Sequence, residues 1–271
     1  MTMATLSALL LSHLLVVSLA FSSIQPNFTL HIDDATLLTS GSVTLPPMTS
    51  VPCSGPLQEI VKPPNVDTLY DWYINTRKTP DADPSWGVLW PTAVSLTQYL
   101  MDNPATVENK RVVELGCGLA LCGLVSTTLG AKSVIISDRE PYALHCALST
   151  AAVNSITTLQ ALMIDWTNVE SSIEADVVLA SDVLYDKETI EAFAQVCQNI
   201  CGRGGVVLVA DPTKERVGGA RELFRTAMQN AKSFEMTDLA MIECHDEGKT
   251  MDSKDHMLRM REPTVLIKCI L

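Results

Sequence analysis

Residues 110–130, KRVVELGCGLALCGLVSTTLG, constrain the fold of this 271-residue chain more than any other stretch. Arg111–Leu115 is a short, β-branched, apolar run, the pattern of a strand buried in a parallel sheet. It leads into Gly116-Cys117-Gly118, where missing side chains let the backbone turn sharply and approach a ligand. Apolar residues then resume in helical register from Leu119 through Leu121, Leu124, Val125 and Leu129, and Gly130 stops them. A strand, a glycine turn and a helix in that order place a binding site at the carboxyl end of the strand. A dinucleotide fingerprint needs a third glycine where Leu121 stands, which counts against a nicotinamide enzyme. Glu114, two residues before the first glycine, repels a pyrophosphate and attracts a cationic, amino-bearing ligand. A strand-turn-helix without any ligand shows the same apolar pattern, so the turn alone does not fix a function.

The alternation continues downstream. Strands are expected at 133–137, 159–164, 175–180 and 205–210, with helices at 141–154, 188–200 and 217–230. Two final strands, 233–243 and 264–271, flank a charged loop at 244–263 and form an antiparallel edge. Upstream, amphipathic helices are expected at 66–77 and 92–101. Strands alternating with helices give an α/β fold, here a seven-stranded, mostly parallel sheet with an antiparallel edge strand.

Four of these strands end in acids: Glu114, Asp138, Asp165 and Asp182. Clustered carboxylates repel one another unless a cation or hydrogen-bond donors offset them. Asp138 follows Glu114 by 24 residues. That is close to the offset of about 20 residues at which an acid takes ribose hydroxyls in dinucleotide folds. The alternative for Asp138 is an N-cap on the helix that starts at Pro141, and for Asp182 a cap on the helix from Glu188.

With Ala120 in place of the last glycine, residues 114–120 resemble the first motif, E/D-x-G-x-G-x-G, of S-adenosylmethionine methyltransferases. The resemblance extends from about Trp86 to Asp211. It includes Trp86-Gly87-x-x-Trp90-Pro91, the ELGCGLALCGL run, Asp138, Asp165-Trp166 and Ser181-Asp182-Val183-Leu184-Tyr185. Together these resemble the seven-β-strand methyltransferases of family 16, mostly protein-lysine methyltransferases. Tyr99 to Pro104 and Val209-Ala210-Asp211-Pro212 are similar to the branch that methylates the electron-transfer flavoprotein β subunit. The resemblance implies a class I Rossmann-like fold with S-adenosylmethionine as cofactor. Gly116 and Gly118 would then approach the methionyl end, Asp138 the ribose, and Asp165 with Trp166 the adenine. Trp90 and Ser181 would line the cofactor site, while Asp182 and Tyr185, similar to the family's D-x-x-Y/F signature, would hold an acceptor amine. The alternatives are an arginine or small-molecule methyltransferase, and a non-catalytic cofactor-binding protein on the same fold.

A formal net charge of −12 argues against a surface that tracks nucleic-acid phosphates. It favours a basic partner, such as a protein substrate with an accessible lysine. The eight cysteines form no C-x-x-C pair and no Cys/His spacing suited to a metal, and read as buried reduced thiols. Cys197 and Cys201 fall four apart on an expected helix. Residues 1–20 carry no charged side chain, and 8–20 are strongly apolar, with small Ser18 and Ala20 preceding Phe21. This is a signal-type targeting segment rather than a membrane span, and no stable membrane association is expected after its removal. A secretory lumen lacks an obvious supply of the implied cofactor. The expected destination is therefore an organelle; the Ala20/Phe21 junction resembles the bipartite plastid leaders of algae with secondary plastids, which implies a plastid, with mitochondrial or cytoplasmic residence as alternatives. Residues 21–65 read as a low-charge leader and linker, irregular over 41–65, with a short hairpin possible within 28–45. The methyltransferase domain is expected over 66–271.

Overall fold

The apolar run at Arg111–Leu115 becomes a central strand, β4, with Val112, Val113 and Leu115 all buried. The computed structural model describes residues 29–31, 46–53, 55–168, 173–239 and 262–271. Before β4 lie strands β1 (Thr29–His31), β2 (Thr49–Pro52) and β3 (Glu59–Lys62), then helices α1 (Val66–Trp72) and α2 (Pro91–Asp102). After it come α3 (Leu121–Thr128), β5 (Ser133–Asp138), α4 (Pro141–Val153), β6 (Leu159–Met163) and β7 (Ala175–Ser181). The chain continues through α5 (Lys187–Ile200), β8 (Cys201–Pro212), α6 (Ala220–Ala227), β9 (Ser233–Asp238) and β10 (Thr264–Ile270).

The main sheet runs β1-β6-β5-β4-β7-β8-β10-β9. Strands β4 to β8 pair in parallel, as their unbroken apolar character requires. The final two strands form the antiparallel edge region, with β10 in the inner place between β8 and β9. Composition decides which goes inside. Thr264–Ile270 is apolar on both faces and almost wholly buried, whereas Ser233–Asp238 offers Glu235, Thr237 and Asp238 to solvent. To the seven expected strands the structure adds an eighth, β1, antiparallel to β6 with Thr29 opposite Leu162.

Helices cover both faces. Leu96 and Leu100 of α2, Leu124 of α3 and Leu144 of α4 share one apolar cluster with Val112, Leu179 and Leu208 of the sheet. Phe193 of α5 and Phe224 of α6 share the other with Val113, Val178 and Val207. Neighbouring strand residues thus feed opposite cores, as the period of two demands. Chain order in the sheet reverses between β4 and β7, and this reversal opens a crevice at the carboxyl ends of the strands.

Three expectations need correction. Residues 41–65 are not linker throughout, because β2 and β3 pair as an antiparallel hairpin, Thr49 opposite Lys62. The hairpin docks on α4: Val61 N–H donates to Thr150 Oγ1 at 2.9 Å, and Asn154 Nδ2 donates to the Glu59 carbonyl at 2.7 Å. Leu57 of the hairpin's connecting loop and Ile60 of β3 are buried, so the folded unit begins before residue 66. The alternation around Leu30 does form a strand, but its partner is β6, and the rest of 28–45 lies outside the described residues. Cys201 does not extend the helix of Cys197; it caps α5 and opens β8. Cys117, Cys122, Cys146, Cys197, Cys201 and Cys269 are buried free thiols. The targeting segment at 1–20 and most of the 244–263 loop lie outside the described residues. Among the described residues, no helix is long and apolar enough to cross a membrane.

Candidate active site

The crevice is a cleft of about 630 Å³, within the ordinary range for small-molecule sites. Nine of the ten candidate residues line it: Trp90, Gly116, Gly118, Asp138, Asp165, Trp166, Ser181, Asp182 and Tyr185. Glu114 does not. Its side chain passes beneath the glycine turn, 1% exposed, and its Oε2 accepts from Gly123 N–H at 2.7 Å. Glu114 therefore ties the first turn of α3 to β4 instead of facing a ligand. Burial pushes its carboxyl up to about 8, against the lowering effect of the Gly123 bond.

The floor is made of backbone. Gly116, Gly118 and Ala120 all take left-handed conformations, with φ of 61°, 49° and 57°. A Cβ at Gly116 would meet Trp166 Cζ2 at 3.0 Å and Val183 Cγ1 at 3.1 Å, and one at Gly118 would meet the Trp86 carbonyl oxygen at 3.2 Å. Ala120 shows that the motif's last glycine is about backbone conformation, since an L-residue is strained there whatever its size. The close helix–strand approach that a third glycine provides in related turns falls to Gly123. A Cβ there would lie 2.6 Å from Ile136 Cγ2.

Asp138, at the end of β5, is buried, and burial raises its pKa. Its Oδ2 accepts from Gly118 N–H at 2.8 Å and its Oδ1 from Glu140 N–H at 2.9 Å. The cap on α4 is Glu140, which accepts from Tyr142 N–H at 3.1 Å. Asp138 is thus free of capping, and each oxygen, with one bond accepted, keeps a further lone pair. Asp165 accepts from both the N–H and the hydroxyl of Thr167, and these bonds hold its pKa below the usual carboxylate value. Trp166 packs its ring on Phe193 at 4.9 Å between centroids.

Trp86, Tyr73 and Glu140 form a chain that sequence reasoning missed. Trp86 Nε1 donates to the Tyr73 hydroxyl at 3.0 Å, which donates to Glu140 Oε2 at 2.8 Å. Trp86 and Glu140 both line the cleft. In the sequence Trp86 stands out only as half of a tryptophan pair, and Tyr73 comes from the π-helical turn Tyr73–Arg77 after α1. Among the described residues, the lining holds seven carboxylates and the guanidinium of Arg139, a balance that favours a cationic occupant.

On the opposite rim, Asp182 directly follows β7 at φ 53°, a strained conformation for a non-glycine residue. Arg216 holds it from the loop between β8 and α6: Nε donates to Oδ1 at 3.0 Å and a terminal nitrogen to Oδ2 at 2.7 Å. The Arg216 guanidinium lies 5.3 Å from the centre of the Trp90 ring and also pairs with Glu262 at 2.7 Å. Nothing local marks Arg216, which sits in a charged run, Lys214-Glu215-Arg216, that reads as a solvated loop. Tyr185 also lines the cleft and is 43% exposed.

A family model described as "Lysine methyltransferase" matches residues 80–231, more than half of the chain and all of this cleft's floor. The chain belongs to that lysine methyltransferase family. The electron transfer flavoprotein beta subunit lysine methyltransferase of Mus musculus is 27% identical over 149 residues, 55% of this chain and 58% of that protein. The histone-arginine methyltransferase METTL23 of Homo sapiens is 32% identical over 109 residues, 38% of this chain and 57% of that protein. The chain thus spans little more than half the length of the relatives it matches. Among solved structures, the N-methyltransferase NodS from Bradyrhizobium japonicum WM9, in complex with S-adenosyl-L-homocysteine, superposes with a TM-score of 0.44. It is 15% identical, over 66% of this chain and 87% of that one.

The glycine cradle, the acidic lining and the aromatic walls fit the group this family implies, S-adenosylmethionine. Gly116 and Gly118 leave backbone exposed on the floor, Asp138 offers acceptors for hydroxyls, and the carboxylates suit a sulfonium and an amine.

Proposed function

We propose that this chain is an S-adenosylmethionine-dependent methyltransferase that modifies a lysine side chain of a protein substrate. The observation that carries the reading is the single cleft onto which the glycine floor and three acidic strand ends, Asp138, Asp165 and Asp182, all open. The cofactor, when bound, supplies an electrophilic methyl group on a sulfonium. Gly116 and Gly118 would hold its methionyl end, Asp138 its ribose hydroxyls, and Asp165 with Trp166 its adenine. Trp90 and Ser181 complete the lining.

Asp182 and Tyr185 would handle the acceptor. A lysine amine has a pKa of about 10.4 in water and arrives as an ammonium. Asp182 accepts a hydrogen bond from it and orients the amine once its proton has left through water. A carboxylate stabilises the ammonium, so Asp182 positions the acceptor and is not a strong general base. Tyr185 supplies a wall and a hydroxyl at the open side. The acidic chain as a whole favours a basic protein segment as partner.

A second reading, arginine as the acceptor, has one observation in its favour: Asp182 already receives a guanidinium, that of Arg216. The deciding experiment incubates the protein with labelled cofactor and a protein extract, then hydrolyses the labelled band. Labelled ε-methyl-lysine is expected. Methylarginine would move the assignment to the second reading, and the absence of S-adenosylhomocysteine binding by calorimetry would end both.

A further inference from the structure

The carboxylate assigned to the acceptor is already paired with a cation, and the pairing has the form an acceptor would use. Arg216 occupies both oxygens of Asp182 and lies over the Trp90 ring. A buried carboxylate beside an aromatic face is the combination that receives an ammonium or guanidinium. We propose that Arg216 is an internal occupant of the acceptor seat. It competes with the incoming cation for Asp182 and Trp90, and swings onto Glu262 when that cation binds. The proposal rests on reading the cleft as an amine-methylating site.

The surroundings suit a side chain that leaves and returns. The Arg216 side chain is 32% exposed, whereas that of Asp182 is 5% exposed. The guanidinium can therefore move toward water while the carboxylate stays buried. The terminal nitrogen that reaches Asp182 also reaches Glu262 Oε2 at 2.7 Å, so releasing Asp182 leaves one ion pair in place.

The backbone around the pivot is clamped. Arg221 donates from Nε to Asp211 at 2.7 Å and from a terminal nitrogen to the carbonyls of Pro212 and Thr213, at 2.8 and 2.6 Å. Glu215 accepts from the N–H groups of Gly219 and Arg221 at 3.0 and 2.8 Å. Movement is thereby confined to the Arg216 side chain.

Selectivity follows from the same arrangement. Once Arg216 departs, Asp182 is a buried carboxylate without a counter-charge, which is costly unless another cation replaces the first. A neutral acceptor cannot make that exchange. The seat thus admits charged side chains and rejects neutral nucleophiles of similar size, such as serine or glutamine.

The test uses n-butylammonium and n-propylguanidinium chlorides, which mimic the ends of lysine and arginine. Each is titrated into the wild-type chain, Arg216→Ala and Arg216→Gln, followed by tryptophan fluorescence, with Trp90→Phe identifying the reporting ring. Both Arg216 variants should bind the cations at least about tenfold more tightly than wild type. Adding Asp182→Asn to Arg216→Ala should remove the gain. Arg216→Gln, which keeps a polar side chain, guards against a folding defect in Arg216→Ala. Equal affinity in all three proteins, or weaker binding in the variants, would overturn the proposal. Calorimetry with S-adenosylhomocysteine runs beside it. Failure there defeats the methyltransferase reading, while the cation titration still decides the competition at Asp182.

Discussion

At the floor of the cleft, two carboxylates are bound by backbone donors: Asp138 by Gly118 N–H and Glu114 by Gly123 N–H. At the rim, Asp182 is bound by a guanidinium 34 residues further along the chain, on a side chain that is partly in water. The floor bonds join groups whose positions the fold has already fixed, so they cost little extra ordering and leave no alternative geometry. The rim bond ties down a long arginine, loses side-chain entropy in doing so, and can be exchanged for a similar bond to another cation. The half assigned to the cofactor is thus rigid, and the half assigned to the acceptor is replaceable.

The largest expected effect tests whether the floor is as dry as it looks. Burial disfavours the charge of Glu114 and pushes its carboxyl up to about 8 in the folded chain, against 4.5 without burial. Folding therefore takes up a proton in that window, and the stability this group contributes is lost as pH rises from 4.5 to about 8. The slope is at most ~1.4 kcal/mol per pH unit. Glu114→Gln keeps an acceptor for Gly123 N–H without the charge. Urea denaturation should find the variant close to wild type at pH 5 and clearly more stable at pH 8.5. A difference that does not change with pH would mean that Glu114 reaches water or a cation, and the contrast with the rim would fail.

Gly123→Ala comes next. Its Cβ would lie 2.6 Å from Ile136 Cγ2 and 2.7 Å from Glu114 Oε2, contacts that require strand or helix to shift. A loss of about 3 kcal/mol in thermal or urea unfolding is expected, the upper end of the usual cost of overpacking. A loss under about 1 kcal/mol would show a floor as pliant as the rim.

A pair of variants then sharpens the division. Asp138→Asn removes one of the two carboxylate oxygens that accept from backbone N–H groups and should weaken S-adenosylhomocysteine binding by roughly 10- to 100-fold, the worth of a charged hydrogen bond. Asp182→Asn should change that affinity by less than about twofold, because its partner is Arg216. Calorimetry giving equal losses for the two would merge what is here divided. The smallest effect belongs to Ala120→Gly. Relief of left-handed strain, about 1–2 kcal/mol, is offset by a lost buried methyl and by greater freedom in the unfolded chain. Stability should move by less than about 1 kcal/mol, and a fall of more than about 2 would mean that the methyl packs as a core group.

The floor was legible because its information is local. A strand, two glycines and a helix adjoin one another between Arg111 and Thr128, and each choice follows from backbone geometry or apolar period. The strand-end acids were legible by the same rule, since alternation places every parallel strand's carboxyl end on one rim. The π-helical Tyr73 was not, because its link to Glu140 joins residues 67 apart that no local pattern relates.

The sequence by itself determined the alternating α/β order, the glycine floor and the acids that ring it, because these depend on periodicity and on residues a few positions apart. Tertiary structure alone decided that Glu114 turns under the floor, that residues 49–62 pair and dock on α4, and that Arg216 reaches Asp182. Each of those outcomes depends on which distant surfaces meet, and a carboxylate or an arginine takes whichever partner the packing brings within reach.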